Sequence, residues 1–214
     1  MHVKLSGSGG TLEALLDEPG PSEQQENPGP RAAVVFAHPD PESGGTMHTK
    51  AVFQGAKGLV RIGCAVLRFN FRGVGSSQGT FDEGRGEMAD YTSALDFMHA
   101  RYPGAPLWAA GFSFGAWVAL ETGAADPRVS TLIGVAPPVK GRGFGFDRTL
   151  ESTKPKFLVQ GDLDQLCPLK DMWAFYAGLK EPKELVIIDG ATHLFDSKTS
   201  EVGEALEDLL GDFD

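Results

Sequence analysis

A chain of 214 residues is long enough for one well-packed domain and marginal for two, so a single domain over residues 1–214 is expected. Its formal charge of -10 argues against nucleic acid and anionic membranes as partners, because phosphate surfaces would repel it. Cys64 and Cys167 are too few for a disulfide scaffold, and the longest apolar runs, such as AAVVFA, are too short to span a bilayer. The opening MHVKLSGSGG lacks the basic and apolar pattern of a secretory leader, so a cytoplasmic location is expected.

In chain order, HVKLS and TLEALLDE flank GSGG and read as an antiparallel hairpin. PGPSEQQENPGP, residues 19–30, has nothing to bury and reads as a mobile surface loop. Strand-like runs then alternate with helical ones. Strands are expected at 32–38, 64–71, 107–112, 130–136, 156–161 and 184–189, and helices at 47–61, 84–101, 114–124, 169–179 and 197–210. The alternation implies an α/β fold with a mostly parallel central sheet and helices on both faces. In such sheets, chemistry collects just past the carboxyl ends of strands.

Two segments fit Gly-x-Ser-x-Gly: GFSFG around Ser113 and GSSQG around Ser77. With 28 glycines in the chain, the bare pattern is weak, and setting has to separate the copies. A nucleophile elbow needs a strand that turns sharply into a helix, with glycines where a Cβ would collide. PLWAAGFSFGAWVALETG supplies that sequence of elements, whereas GSSQG follows its strand only after RGVG and runs on into TFDEGRG. Ser113 is therefore the expected nucleophile.

A serine needs a base and a carboxylate in reach, and in this fold class they follow the nucleophile in the order acid, then histidine. The strand at 156–161 is followed by GDLDQLCP, which offers Asp162 and Asp164, and the strand at 184–189 by GATHLF, which offers His193. Spacing alone does not choose between the two aspartates. Among the other histidines, His2 is terminal and His48 and His99 lie on helical segments, while His38 ends the first central strand and is a candidate substrate contact. An oxyanion would be held by the Phe114 N–H at a helix start and by an N–H of HPDP. Pro39 and Pro41 have none, which leaves the Asp40 amide, with its carboxylate turned away from the substrate.

GVGSSQG is not a dinucleotide loop, since Gln78 stands in the third glycine's place, and His38, Asp40 and His48 lack a convincing metal-ligand spacing. No cofactor and no metal are expected. A binding or scaffold protein of the same fold, in which serine, histidine and aspartate go unused, is the reading from a different class.

These residues carry a resemblance. HPDPESGGTMHTK, LRFNFRGVGSSQGTFDEGRGE, GFSFGA, GDLDQLCP and GATHLF resemble, over nearly the whole chain, the α/β-hydrolase superfamily and in particular its small lidless bacterial serine hydrolases, a group similar to dienelactone hydrolases. The resemblance implies Asp164 as the acid and RGVGSSQG as a loop that shapes the site. It implies a serine hydrolase of a small-molecule ester, carboxylesterase-like, with thioesterase, lactonase and amidase activity as alternatives, and the absence of a lid makes short-chain esters the first expectation. This chain departs from the group's His-Pro-His-Pro at Asp40, and it has Ser113 where dienelactone hydrolases carry cysteine. The interval 137–155 is too short for a helical lid, so an open site is expected, with Phe144 and Phe146 as candidates to line an acyl pocket.

Overall fold

A computed structural model of the chain describes residues 1–20, 29–140 and 143–213, so most of the expected loop at 19–30 lies outside the described residues. Eight strands form one sheet: β1 (His2–Gly7), β2 (Gly10–Asp17), β3 (Ala33–Ala37), β4 (Ala65–Phe69), β5 (Leu107–Phe112), β6 (Val129–Val135), β7 (Lys156–Gly161) and β8 (Lys183–Ile188). Their spatial order is β1-β2-β4-β3-β5-β6-β7-β8. The β1–β2 hairpin joins β4 antiparallel, and the remaining neighbours pair in parallel.

The helices are α1 (Lys50–Arg61), α2 (Arg85–Arg101), α3 (Phe114–Ala125), α4 (Asp147–Glu151), α5 (Leu169–Gly178) and α6 (Thr199–Leu210). Side chains alternate across a strand, and β3 shows the result. Ala33, Val35 and Ala37 join one apolar layer with Tyr91 and Leu95 of α2 and Val118 of α3. Val34 and Phe36 join the other with Val52 of α1 and Val202 and Leu206 of α6. The central strands are buried on both faces, which is why their sequences are apolar without interruption. Within the first layer, the Tyr91 hydroxyl donates to the Val35 carbonyl at 2.8 Å and accepts the Ala110 N–H at 2.9 Å, fixing α2 to two strands.

Two helix starts and one short helix depart from expectation, each for a local reason. Helix α1 begins at Lys50 rather than Met47, because the Met47 N–H donates to Asn70 Oδ1 and the Met47 carbonyl accepts from Arg68, both at 2.8 Å. Helix α6 begins at Thr199, since Ser197 has a φ of 66°. The five-residue α4 was not foreseen. Glu121 of α3 holds its start by accepting the Thr149 N–H at 2.9 Å and the Thr149 hydroxyl at 2.6 Å.

Candidate active site

Ser113 lies between β5 and α3 with φ 54° and ψ -121°, a left-handed conformation that a side chain-bearing residue adopts only when its surroundings enforce it. They do so here by close packing. A Cβ on Gly111 would come 2.1 Å from the Gly115 carbonyl oxygen, and one on Gly115 would come 2.3 Å from that of His38. The Ser113 N–H donates to the Val135 carbonyl at 2.9 Å, so the turn is also anchored to β6.

From this turn a hydrogen-bonded chain runs across three strand ends. Ser113 Oγ lies 2.8 Å from His193 Nε2, and His193 Nδ1 lies 2.7 Å from Asp164 Oδ2. The Asp164 carboxylate is fully buried but well supplied with donors. Its Oδ1 accepts the N–H groups of Leu166 and Cys167 at 2.9 and 2.8 Å, and its Oδ2 also accepts from Gln160 Nε2 at 3.0 Å. Those bonds offset the cost of burying a charge. Of the two aspartates after β7, the structure brings Asp164 to His193. Gln160, which sequence reasoning missed, is the next-to-last residue of β7 and donates to Asp164.

The chain opens into a cleft of about 420 Å³ lined by Ser113, His193, Asp40, Phe114, Phe144 and Leu194, among others. The Phe114 N–H is at the first position of α3, where a helix offers no acceptor of its own. Asp40 borders the same cleft, and its carboxylate turns into the short 3-10 turn Pro41–Ser43, accepting the Glu42 N–H and the Ser43 hydroxyl, both at 3.0 Å. Phe144 stacks on Trp117 with ring centroids 4.5 Å apart, and the Trp117 indole N–H donates to the Gly145 carbonyl at 2.8 Å.

Three expectations are corrected. His38 is a structural tie rather than a substrate contact: it is fully buried, its Nδ1–H donates to the Pro39 carbonyl at 2.6 Å, and its Nε2 accepts the Phe71 N–H at 3.1 Å. Burial pushes its pKa down to about 4, so it is neutral at ordinary pH. Phe146 is buried in the core, where it packs on Phe175 at 4.9 Å, and does not line the cleft as Phe144 does. RGVGSSQG packs on the hairpin instead of the cleft. Ser77 Oγ donates to the Asn70 carbonyl and accepts the Glu13 N–H, and Gln78 Oε1 accepts the Thr11 N–H. Burial pushes the Cys64 and Cys167 thiols up to about 12, so both stay protonated at ordinary pH.

A doubly covered, mostly parallel sheet with a strained serine turn between its central strand and a helix is an α/β-hydrolase fold. Comparison with known proteins narrows the class. The family described as serine aminopeptidase, S33, matches residues 28–144. An uncharacterised protein of Rickettsia prowazekii is 37% identical over 189 residues, covering 85% of this chain and 79% of that one. An α/β serine hydrolase homologue from Coxiella burnetii is 36% identical with a TM-score of 0.88, covering 98% of this chain and 97% of its own. A lidless α/β serine hydrolase from Xanthomonas campestris is 33% identical with a TM-score of 0.86, covering 97% of this chain and 92% of its own. The chain belongs to this family of α/β serine hydrolases, in its lidless form. No helix among the described residues is long and apolar enough to cross a membrane.

Proposed function

We propose that the protein hydrolyses short-chain carboxylic esters through a Ser113–His193–Asp164 triad and an acyl-enzyme. The observation that carries this reading is the unbroken chain of 2.8 and 2.7 Å contacts from Ser113 to Asp164, ending in an open cleft. His193 Nε2 takes the Ser113 proton as Oγ bonds to the carbonyl carbon. Asp164 keeps the imidazole in the Nδ1–H form and stabilises the imidazolium. The N–H groups of Phe114 and Asp40 receive the developing oxyanion, and the Asp40 carboxylate is held in its turn while they do so. The bond to the alcohol then breaks, and the alcohol oxygen takes the proton from His193. Water repeats the two steps, releasing the acid and restoring Ser113.

The family's description raises peptide bonds as a second reading, because an aminopeptidase must hold its substrate's terminal ammonium with an anion. The described charged residues on the cleft wall are Lys140 and Asp40, and the Asp40 carboxylate serves the 3-10 turn. That lining favours an uncharged ester. A fluorophosphonate probe is expected to label the folded wild type and not Ser113→Ala. A folded wild type that stays unlabelled would leave the fold as a binding protein with an unused triad.

A further inference from the structure

Leu166 and Leu194 stand on the wall of the cleft with 69% and 54% of their surfaces in water. Single exposed leucines are common on proteins and need no explanation. These two differ because they share one cleft and are set in place by the residues of the triad. Leu194 follows His193 directly, and the Leu166 N–H donates to Asp164 Oδ1 at 2.9 Å.

Given the ester reading above, on which this step rests, the chemistry assigns sides to the cleft. The carbonyl oxygen must face the Phe114 and Asp40 N–H groups, and the departing oxygen must face His193 Nε2 to take its proton. The acyl group is then left to Phe114 and Phe144, which line the cleft and pack on each other, with Phe144 stacked on Trp117 behind. The alcohol lies on the side of His193, where the cleft wall carries Leu194 and Leu166.

We infer that Leu166 and Leu194 form the leaving-group subsite, and that the substrates are esters of apolar alcohols with an alkyl chain of several carbons or an aryl ring. Covering the two leucines with such a group removes apolar surface of both partners from water in the complex, a gain that methanol, ethanol or a charged alcohol does not give. The lidless architecture makes this the substrate's task, since no protein segment closes over them among the described residues.

The test is a series of ethyl, butyl, hexyl and octyl acetates, followed by proton release below their solubility limits. The acyl group is constant and the alcohols have nearly equal intrinsic reactivity, so the series reads the leaving-group subsite. With each buried methylene worth up to about a fourfold gain, kcat/KM is expected to rise about tenfold or more from ethyl to hexyl. Leu194→Ser and Leu166→Ser, both at exposed positions that leave the core untouched, are expected to flatten that slope. They should leave the slope of a parallel series of ethyl acetate, butanoate and hexanoate as it was. A flat alcohol series in an active wild type, or variants that change the acyl slope instead, would overturn the assignment. A wild type that cleaves none of the esters and resists the fluorophosphonate probe would instead sink the esterase reading itself.

Discussion

The two Gly-x-Ser-x-Gly segments are alike as strings and opposite as structures. Ser113 is held in a left-handed turn by its neighbours' backbone, and its hydroxyl meets an imidazole at the floor of a cleft. Ser77 is buried, and its hydroxyl joins the Asn70 carbonyl to the Glu13 N–H, tying the hairpin to the sheet. One serine has been given a strained backbone and a reactive partner; the other has been used up as a hydrogen-bonding bridge. What separates them is where their groups are spent, and that follows from the elements on either side.

The largest effect should come from removing each hydroxyl in turn. Ser113→Ala is expected to lower kcat for ester hydrolysis by about 10⁴-fold or more with little change in folding, as for other triad nucleophiles. Ser77→Ala should keep kcat within a few fold. Equal losses in the two variants, read by the same ester assay, would remove the distinction. The flanking glycines come next. Gly115→Ala forces a Cβ to 2.3 Å from the His38 carbonyl oxygen and should cost about 4 kcal/mol of stability. Gly79→Ala in the other segment meets Arg72 at 3.2 Å with a φ of 89° and should cost about 1–2 kcal/mol. Urea midpoints for the pair test that order.

His38 touches both segments, since its carbonyl abuts Gly115 and its Nε2 accepts from Phe71 at the entrance to the other loop. Its pKa is lowered from 6.5 to about 4, chiefly by burial, with partial opposition from the Pro39 carbonyl and Asp40. The unfolded chain therefore binds a proton between those values while the folded chain does not, and stability falls as pH drops through that window. The loss attributable to this residue should approach about 3 kcal/mol by pH 4. His38→Gln, which keeps an acceptor for Phe71 and cannot titrate, should lose correspondingly less between pH 7.5 and 4.5 in urea titrations. Parallel losses in both proteins would place the acid sensitivity elsewhere.

Much of this was legible in the sequence, and the parts that were not share a physical cause. The bounds of β5 and β7 follow from uninterrupted apolar runs, and the elbow follows from a strand, a glycine-flanked serine and a helix in succession. Choosing Asp164 over Asp162 depends on donors that arrive from Gln160, Leu166 and Cys167, which become neighbours only when the loop after β7 closes. His38 misled because a strand-end position does not say which way the ring turns. Phe144 and Phe146 lie in an irregular segment, where a spacing of two does not say which ring lines the cleft and which enters the core. Helix α4 escaped notice because its stabilising partner, Glu121, lies on another helix.

The stability loss expected at Ser77 makes the sharpest test of its structural role. Ser77→Ala deprives the buried Asn70 carbonyl of its donor and the Glu13 N–H of its acceptor at one stroke. Leaving such groups without partners should cost about 2 kcal/mol. The loss should also be local, because the other bonds of that corner remain: Gln78 Oε1 still accepts the Thr11 N–H, and Glu13 Oε2 still accepts from Asn70 Nδ2 and the Ser76 N–H. Hydrogen exchange should therefore quicken at Glu13 and its neighbours in the hairpin, while the rate of fluorophosphonate labelling at Ser113 stays at the wild-type value. Slower labelling without faster hairpin exchange would mean that the two serines are coupled through the site after all, and that Ser77 belongs to the chemistry rather than to the frame.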